Sequence, residues 1–162
     1  MSKVLIVDDD KDISNLISLV LKKEGIESTI INDSIEVPDI VEKEYFDLIL
    51  LDIMMPELSG IEVCTKIREK VNCPIIFLSA KTELIDKMLG YEIGGDDYIT
   101  KPFDNSELVL KIKSHLRLNK RVNTLNKNTI IKIGEILINK ETIKSLETRG
   151  FYRLWKLSVT KR

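Results

Sequence analysis

The 162-residue sequence lacks any apolar run near the length that crosses a membrane. About 20 consecutive apolar residues are needed to span a bilayer, and polar or charged residues interrupt every apolar stretch here well before that length. The first three residues lead directly into an apolar strand pattern, which is unlike a signal peptide. We therefore predict a cytoplasmic protein with no membrane partner.

Cysteine, histidine and glycine-rich loops are also scarce. The chain has two cysteines and one histidine, and Cys64 and Cys73 lack both CxxC spacing and a nearby histidine, so we predict reduced structural thiols and no zinc site. No glycine-rich loop follows the first apolar strand. This absence argues against a dinucleotide-binding or P-loop nucleotide-binding protein.

Acidic and basic residues are unevenly distributed along the chain. Residues 1–119 carry 14 basic and 23 acidic side chains, a net charge of −9, whereas residues 120–162 carry 11 and 3, a net charge of +8. Such asymmetry is typical of an acidic module joined to a segment that faces nucleic acid. Many solvated tails are basic too, so the charge alone assigns no function.

Short β-branched runs alternate with helical periodicity over residues 1–119, which indicates repeated βα units and a doubly wound parallel sheet. Strands are predicted at residues 4–7, 28–31, 48–51, 74–78 and 98–100, the second of them at an edge. Apolar periodicity predicts helices around residues 13–21, 41, 61–67, 84–89 and 108–116. The second helix should be short, because Pro38 fits only a first helical turn.

A different organisation follows this unit. Residues 119–128 are polar and show no apolar periodicity, which predicts a linker over residues 120–129. Short alternating segments at residues 130–133, 135–138 and 143–146 then predict an antiparallel meander. The expected organisation is a domain over 1–119, a linker over 120–129, and an antiparallel β segment over 130–162.

Polar side chains follow four of the predicted strands at the point where each strand ends. They are Asp8, Asp9 and Asp10 after the first strand, Asp52 after the third, Ser79 after the fourth and Lys101 after the fifth. Ligands of open parallel sheets bind outside the carboxyl ends of the strands, so these groups predict one pocket.

The residue types in this pocket suit metal-dependent phosphoryl transfer. Asp8, Asp9 and Asp52 would repel one another unless a hard cation such as Mg²⁺, which prefers oxygen ligands, lies between them. Asp52 is the natural nucleophile toward phosphorus, while Lys101 supplies positive charge and Ser79 a hydrogen bond. An EF-hand calcium loop beginning at Asp8 is excluded, because Ile13 and Leu19 occupy its glycine and glutamate positions.

The sequence closely resembles the receiver domain of two-component response regulators over residues 3–119. The matching strings are VLIVDDD at residues 4–10, DLILLDIMMPELSG at 47–60, IFLSA at 76–80 and GDDYITKPF at 95–103. The resemblance implies a flavodoxin-like fold with a five-stranded parallel sheet. It also implies that Asp52 accepts a phosphoryl group from a sensor histidine kinase.

Further roles are implied by the same resemblance. Asp9 and Asp52 would bind Mg²⁺ directly with the Met54 carbonyl, and Asp8 mainly through water. Ser79 and Lys101 would contact the phosphoryl group, and the bond between Lys101 and Pro102 would be cis. Tyr98 would turn inward as Ser79 moves on activation.

The OmpR-type subfamily adds a dimer and an effector domain to these expectations. Its receiver dimerises through the fourth helix, fifth strand and fifth helix, where suitable charges stand at Lys87, Asp96, Asp97, Glu107, Lys111 and Arg117. Ordinary solvated helix charges would look the same. Residues 130–160 resemble the opening strands of the winged-helix domain, whose recognition helix these 162 residues do not contain. Promoter DNA binding is therefore expected only for a form with a complete winged helix.

Two other functions remain open at this point. The chain could be a receiver that acts only by binding other proteins. It could also be an enzyme, a haloacid-dehalogenase-type phosphatase, since that family uses an aspartate, a hydroxyl and a lysine with Mg²⁺. The order of motifs disfavours the phosphatase, because Asp96 and Asp97 precede Lys101 here whereas that family places its acidic pair after the lysine.

Overall fold

A computed structural model describes residues 2–80, 94–128, 130–133 and 136–139, with side chains over 2–80 and 94–121. The predicted helix at residues 84–89, which includes Lys87, and the predicted strand at 143–146 lie outside the described residues. Contacts divide the chain into two compact units, Met1–Asn119 and Lys120–Arg162.

One five-stranded sheet organises the first unit. Its strands are β1 (Lys3–Val7), β2 (Glu27–Ile31), β3 (Leu48–Asp52), β4 (Ile75–Ser79) and β5 (Asp97–Thr100). Their order in the sheet is β2-β1-β3-β4-β5, and each neighbouring pair is parallel. This arrangement confirms the predicted flavodoxin-like sheet.

Four α-helices are described along the chain. They are α1 (Lys11–Lys23), α2 (Val37–Lys43, after a 3₁₀ turn at Ser34–Glu36), α3 (Gly60–Ile67) and α4 (Asn105–Asn128). α2 is short and has proline in its first turn, as predicted, and α4 corresponds to the fifth predicted helix. In the described part of the chain, no helix combines the length and the apolar character that a membrane crossing requires.

Local capping sets where the helices nearest the pocket begin. The Asp10 carboxylate accepts hydrogen bonds from the backbone amides of Asp12 and Ile13, which would otherwise be unpaired at the start of α1. Ser59 and Glu62 form a reciprocal capping box at the start of α3. These caps hold the two helices directly behind the loops that leave β1 and β3.

Apolar side chains on the two faces of the sheet form two separate cores. One face packs against α2 and α3 through Leu5, Val7, Ile49, Leu51, Ile75, Phe77, Val37, Val63 and Ile67. The other packs against α1 and α4 through Val4, Ile6, Leu48, Leu50, Ile76, Leu78, Ile17, Leu21, Leu108 and Ile112. Successive strand residues thus alternate between the two cores, as the pleat of a strand requires. Burial on both sides makes the sheet a rigid platform for its carboxyl edge.

The stretch predicted as a linker is helical in the structure. α4 continues to Asn128, so residues 120–128 of the predicted linker extend this helix. Residues 103–133 contain neither glycine nor proline, and nothing in this stretch breaks a helix by its backbone preference. In the second unit, Ile130–Ile133 (β6) and Ile136–Asn139 (β7) pair antiparallel, which agrees with the first two predicted meander segments.

Candidate phosphoryl-accepting site

The carboxyl ends of β1 and β3 bring three aspartates together. Val7 pairs with Leu51 in the sheet, so Asp8 and Asp52 come next on adjacent strands. One carboxylate oxygen from each of Asp8, Asp9 and Asp52 lies within 4.8 Å of the others. The three acidic residues expected to form a pocket are therefore neighbours in the structure.

Burial makes this cluster electrostatically demanding. Asp8 is 0% exposed and Asp52 is 4% exposed, whereas Asp9 is exposed. Burial raises the pKa of the Asp52 carboxyl, the charge of Asp8 adds to this effect, and Lys101 opposes it. Such a shift marks a carboxylate that water stabilises poorly and that depends on nearby positive charge.

Lys101 provides positive charge from the end of β5. Its ammonium lies 2.7 Å from Asp8 Oδ2 and 3.3 Å from Asp52 Oδ2. The Lys101 backbone N–H donates to the Ser79 carbonyl at 2.7 Å, which fixes the lysine beside the end of β4. The bond between Lys101 and Pro102 is cis, as predicted.

The backbone after β3 holds Asp52 from its other side. The Met54 backbone lowers the pKa of the Asp52 carboxyl, against the effect of burial, while the Met54 side chain is exposed. Gly60, the first residue of α3, passes so close that an added Cβ would lie 2.0 Å from the Asp52 carbonyl oxygen. The Gly60 amide donates to the Ile53 carbonyl at 3.0 Å, and this contact closes the loop that follows Asp52.

Ser79 and Tyr98 lie on the two strands beyond Asp52. Ser79 is buried at the end of β4, one position past the Leu78 that pairs with Asp52. Tyr98 is partly buried against the core on the α2 and α3 face, and the Lys111 ammonium lies 5.1 Å from its ring centroid. Ser79 thus stands at the same sheet edge as Asp52, while Tyr98 lies further back on β5.

Three of the charges proposed for a dimer have partners within the chain. The Asp97 carboxylate lies 2.9 Å from the Lys111 ammonium and 3.0 Å from His115 Nε2. The Asp96 carboxylate lies 3.2 Å from the Arg68 guanidinium. The Lys111 ammonium also donates to the Tyr98 carbonyl at 2.8 Å. These contacts tie β5 to α4 and to the end of α3 inside one subunit.

Glu107 and Arg117 differ from these three residues. Both are exposed on α4, and the structure records no ion pair for either of them within residues 2–80 and 94–121. The residues selected from the sequence for their charge therefore include both kinds: some pair within the chain, and others have exposed side chains.

Two residues at the pocket were missed in the sequence. Asn32, directly after β2, donates from Nδ2 to the Asp8 carbonyl at 2.6 Å and to Ser14 Oγ at 3.1 Å. Ser14 is buried in α1 and donates to the Lys11 carbonyl. The signal for Asn32 was present, because it is a polar residue at a strand's carboxyl end.

The two cysteines belong to the core on the α2 and α3 face of the sheet. Cys64 and Cys73 are both buried and unbridged, as expected of structural thiols. Burial raises the pKa of each thiol to about 11, with Arg68 opposing it. Both thiols are therefore protonated near neutral pH and unsuited to act as nucleophiles.

Comparison with known proteins identifies the first unit. A family model described as the response regulator receiver domain matches residues 4–113. The chain is similar to the Francisella response regulator 1452 receiver domain, with 36% identity over 72% of this chain and 98% of that chain and a TM-score of 0.69. A two-component response regulator from Clostridium difficile has 32% identity over 72% of this chain and 97% of that chain, with a TM-score of 0.70.

A third solved structure carries a bound activator in its description. It is the BeF3-activated N-terminal receiver domain of RstA from Klebsiella pneumoniae, with 29% identity over 72% of this chain and 99% of that chain. Its TM-score is 0.69. The range of the family model, residues 4–113, includes all of β2, β3, β4 and β5.

Proposed function

The chain belongs to the response regulator receiver family, and from this premise we propose that it accepts a phosphoryl group on Asp52 from a sensor histidine kinase. The observation that carries the proposal is the convergence of three carboxylates within 4.8 Å at one sheet edge. Asp52 is the central member, on the middle strand of the sheet.

The residues at this edge fit a divalent cation. Three carboxylates and one ammonium leave a net charge of about −2 in a largely buried cleft, and carboxylate oxygen is the ligand type that Mg²⁺ prefers. We propose that Asp9 and Asp52 hold the metal directly, with the Met54 carbonyl, and Asp8 mainly through water. When bound, Mg²⁺ neutralises charge on the phosphoryl oxygens.

Each side chain of the pocket then has a defined part in the reaction. A carboxylate oxygen of Asp52 attacks phosphorus as the bond between phosphorus and the donor atom breaks, and the leaving group keeps that electron pair. The Lys101 ammonium moves from its aspartate partners toward the transferred group, and the Ser79 hydroxyl donates to one of its oxygens. Little covalent chemistry is required beyond positioning and charge neutralisation.

Intact-mass spectrometry with phosphoramidate and Mg²⁺ tests the assignment. We expect one phosphoryl adduct in the wild type and in Asp39→Asn, an exposed aspartate of α2 that serves as the matched control. The adduct should be absent from Asp52→Asn and from wild type treated with a chelator. An adduct that persists in Asp52→Asn would show that another residue is the acceptor.

We further propose that phosphorylation promotes a symmetric dimer through the predicted fourth helix, β5 and α4. Glu107 and Arg117 support this surface because they are exposed. Asp96, Asp97 and Lys111 would have to exchange or share their intrachain partners. The description of the Klebsiella relative as BeF3-activated supports beryllium fluoride as a phosphoryl mimic for this family.

We propose that control of transcription requires a complete winged helix. The net charge of +8 over residues 120–162 supports contact with phosphates, but phosphate contacts position a protein without reading bases. We expect DNA affinity of these 162 residues to be independent of sequence and to fall steeply with salt. Preference for one promoter fragment by roughly a thousandfold would contradict this expectation.

The phosphatase alternative makes a different prediction. The matched family is a signalling module, so we expect Asp52 to accept a phosphoryl group from a small donor without turnover of a phosphomonoester. Sustained turnover of a phosphomonoester would favour the enzyme.

A further inference from the structure

The end of β2 holds both backbone groups of Asp8. The Asp8 amide donates to the Ile31 carbonyl at 3.2 Å, and the Asp8 carbonyl accepts from Asn32 Nδ2 at 2.6 Å. Asp8 is the first residue beyond β1, where ladder hydrogen bonds between strands would otherwise stop. The Asn32 side chain therefore adds one more hydrogen bond beyond the β1–β2 ladder, and this bond holds the Asp8 carbonyl.

The chemistry of the contacts fixes the orientation of the Asn32 amide. A carbonyl oxygen can only accept, so the NH₂ group of Asn32 must face Asp8. The Ser14 hydroxyl donates its proton to the Lys11 carbonyl at 3.1 Å and is left to accept the second N–H of Asn32 at 3.1 Å. Both protons of the amide are thus used, one on the acidic loop and one on the first turn of α1.

The contact on the Asp8 carbonyl bears on the direction of the Asp9 carboxylate. The Asp8 carbonyl belongs to the peptide that joins Asp8 to Asp9, so holding it sets the plane from which the Asp9 side chain departs. The Asp8 carboxylate is fixed separately, by the Asp10 amide at 3.0 Å and by Lys101 at 2.7 Å. Since Asp8, Asp9 and Asp52 repel one another, their loop needs such restraints to stay closed.

We propose that Asn32 is a positioning residue for the metal-binding carboxylates, and that it acts by holding the Asp8–Asp9 peptide against α1. This inference rests on the proposed function of the pocket. Asn32 touches neither a carboxylate nor the acceptor oxygen in the described contacts, so its effect passes through the backbone. Partners one step removed from a metal typically change its affinity by about 10- to 100-fold when lost.

Magnesium titration by calorimetry tests the role without measuring phosphorylation. We expect Asn32→Ala to bind Mg²⁺ about tenfold more weakly than wild type. Asn32 also lines a surface cavity with Met55 and Glu57, so water can reach the vacated position and the fold should persist. Asn72→Ala is the matched control, because Asn72 is exposed and should leave the affinity unchanged.

A second variant and a second measurement separate positioning from stability. Ser14→Ala keeps the Asn32 side chain but removes its anchor on α1, and it should weaken Mg²⁺ binding by less than the roughly tenfold expected for Asn32→Ala. If Asn32→Ala does not fold, the Mg²⁺ affinity of Ser14→Ala still tests the positioning role of Asn32. Unfolding midpoints in chelator show whether a variant is merely less stable, since a structural role would lower the midpoint without changing Mg²⁺ affinity.

The outcomes distinguish this inference from the function on which it rests. Wild-type Mg²⁺ affinity in both variants would overturn the positioning role, even if wild type still forms the Asp52 adduct. Wild type that binds no Mg²⁺ and forms no adduct would overturn the proposed function and the inference together. Weakened affinity in both variants, with Asn72→Ala unchanged, supports the role.

Discussion

Lys101 and Asp8 form a 2.7 Å ion pair between residues 93 positions apart, and the Asp8 carboxylate is 0% exposed. The same ammonium lies 3.3 Å from Asp52. One lysine therefore offsets the charge of two buried carboxylates on adjacent strands. If the Lys101 ammonium moves toward a new anion, Asp8 and Asp52 lose their partner, and another positive charge must then stabilise the two carboxylates.

The first prediction concerns the stability of the metal-free protein. Lys101→Met should lower the free energy of unfolding by about 3–5 kcal/mol, because it leaves a buried charge uncompensated. Adding Asp8→Asn should recover part of this loss, since the unpaired carboxylate is then removed. Chemical denaturation in the presence of chelator measures both effects.

Lys113→Met is the control for that experiment. Lys113 pairs with Glu24 at the surface, where the two side chains are 50% and 38% exposed, so its loss should cost less than about 1 kcal/mol. If Lys101→Met and Lys113→Met have equal effects, or if the losses from Lys101→Met and Asp8→Asn simply add, the lysine does not stabilise the acidic pocket.

The sequence predicted that Asp8 and Asp52 lie close together, and it could do so because the fold itself determines this proximity. Asp8 and Asp52 follow apolar strands, and parallel strands that end at one edge must bring such residues together. The prediction needed only strand positions and direction. The separation of Asp8 and Asp52 follows from the pairing of Val7 with Leu51. The sequence pattern implied that the two strands lie in one sheet, but it did not give the register of their pairing.

Other features could not be predicted because they depend on tertiary contacts. Complementary charge does not reveal whether Asp97 pairs within its own chain or with another, and the structure shows Lys111 and His115 as intrachain partners. Asn32 could be seen as a polar residue at a strand's carboxyl end, but its contact with the Asp8 carbonyl depends on the pairing of β2 with β1. The length of α4 was missed because periodicity counts apolar residues, whereas a polar stretch without glycine or proline can also remain helical.

A second prediction tests the close approach of α3 to the nucleophile. Gly60→Ala should destabilise the fold by about 3 kcal/mol or more, because its Cβ would lie 2.0 Å from the Asp52 carbonyl oxygen and the backbone must move. Moving that backbone also displaces Asp52, so phosphoryl adduct formation should slow. Thermal unfolding and intact-mass kinetics measure the two effects.

Gly25→Ala provides a matched comparison. Gly25 has φ +71 with open space around the position of a Cβ, so alanine there should cost about 1 kcal/mol through backbone conformation alone. It should leave adduct formation unchanged. Equal adduct rates in Gly60→Ala and Gly25→Ala would mean that the α3 contact does not position Asp52.

A third prediction concerns pH. Burial raises the pKa of the Asp97 carboxyl, but hydrogen bonds from Lys111, His115 and the Tyr98 amide outweigh burial and leave the pKa below its usual value. A lowered pKa means that the unfolded chain binds more protons than the folded one, so this stabilisation is present above about pH 4 and is lost as pH falls through the folded pKa.

Asp97→Asn measures that contribution. At pH 7 the variant should be less stable than wild type by about 1.5–3 kcal/mol, the usual range for a hydrogen bond to a charged group, and the difference should shrink as the pH falls below about 4. Glu69→Gln, an exposed control on the surface, should show no such dependence. A difference that stays constant from pH 7 to pH 3 would show that packing of Asp97, not its charge, is responsible.

The last prediction tests the proposed dimer through its charges. With beryllium fluoride and Mg²⁺, Glu107→Lys should weaken self-association roughly tenfold, because a symmetric interface carries the changed residue twice and each exposed pair contributes up to about 1 kcal/mol. Combining it with Lys87→Glu should restore part of the loss if these two side chains meet across the interface. Lys113→Glu on the same helix is the control, since its partner Glu24 lies within the chain.

Sedimentation velocity at moderate salt measures the wild type, Glu107→Lys, the double variant and Lys113→Glu. No recovery in the double variant would mean that Glu107 and Lys87 do not meet. A wild type that stays monomeric with beryllium fluoride would rule out the dimer itself.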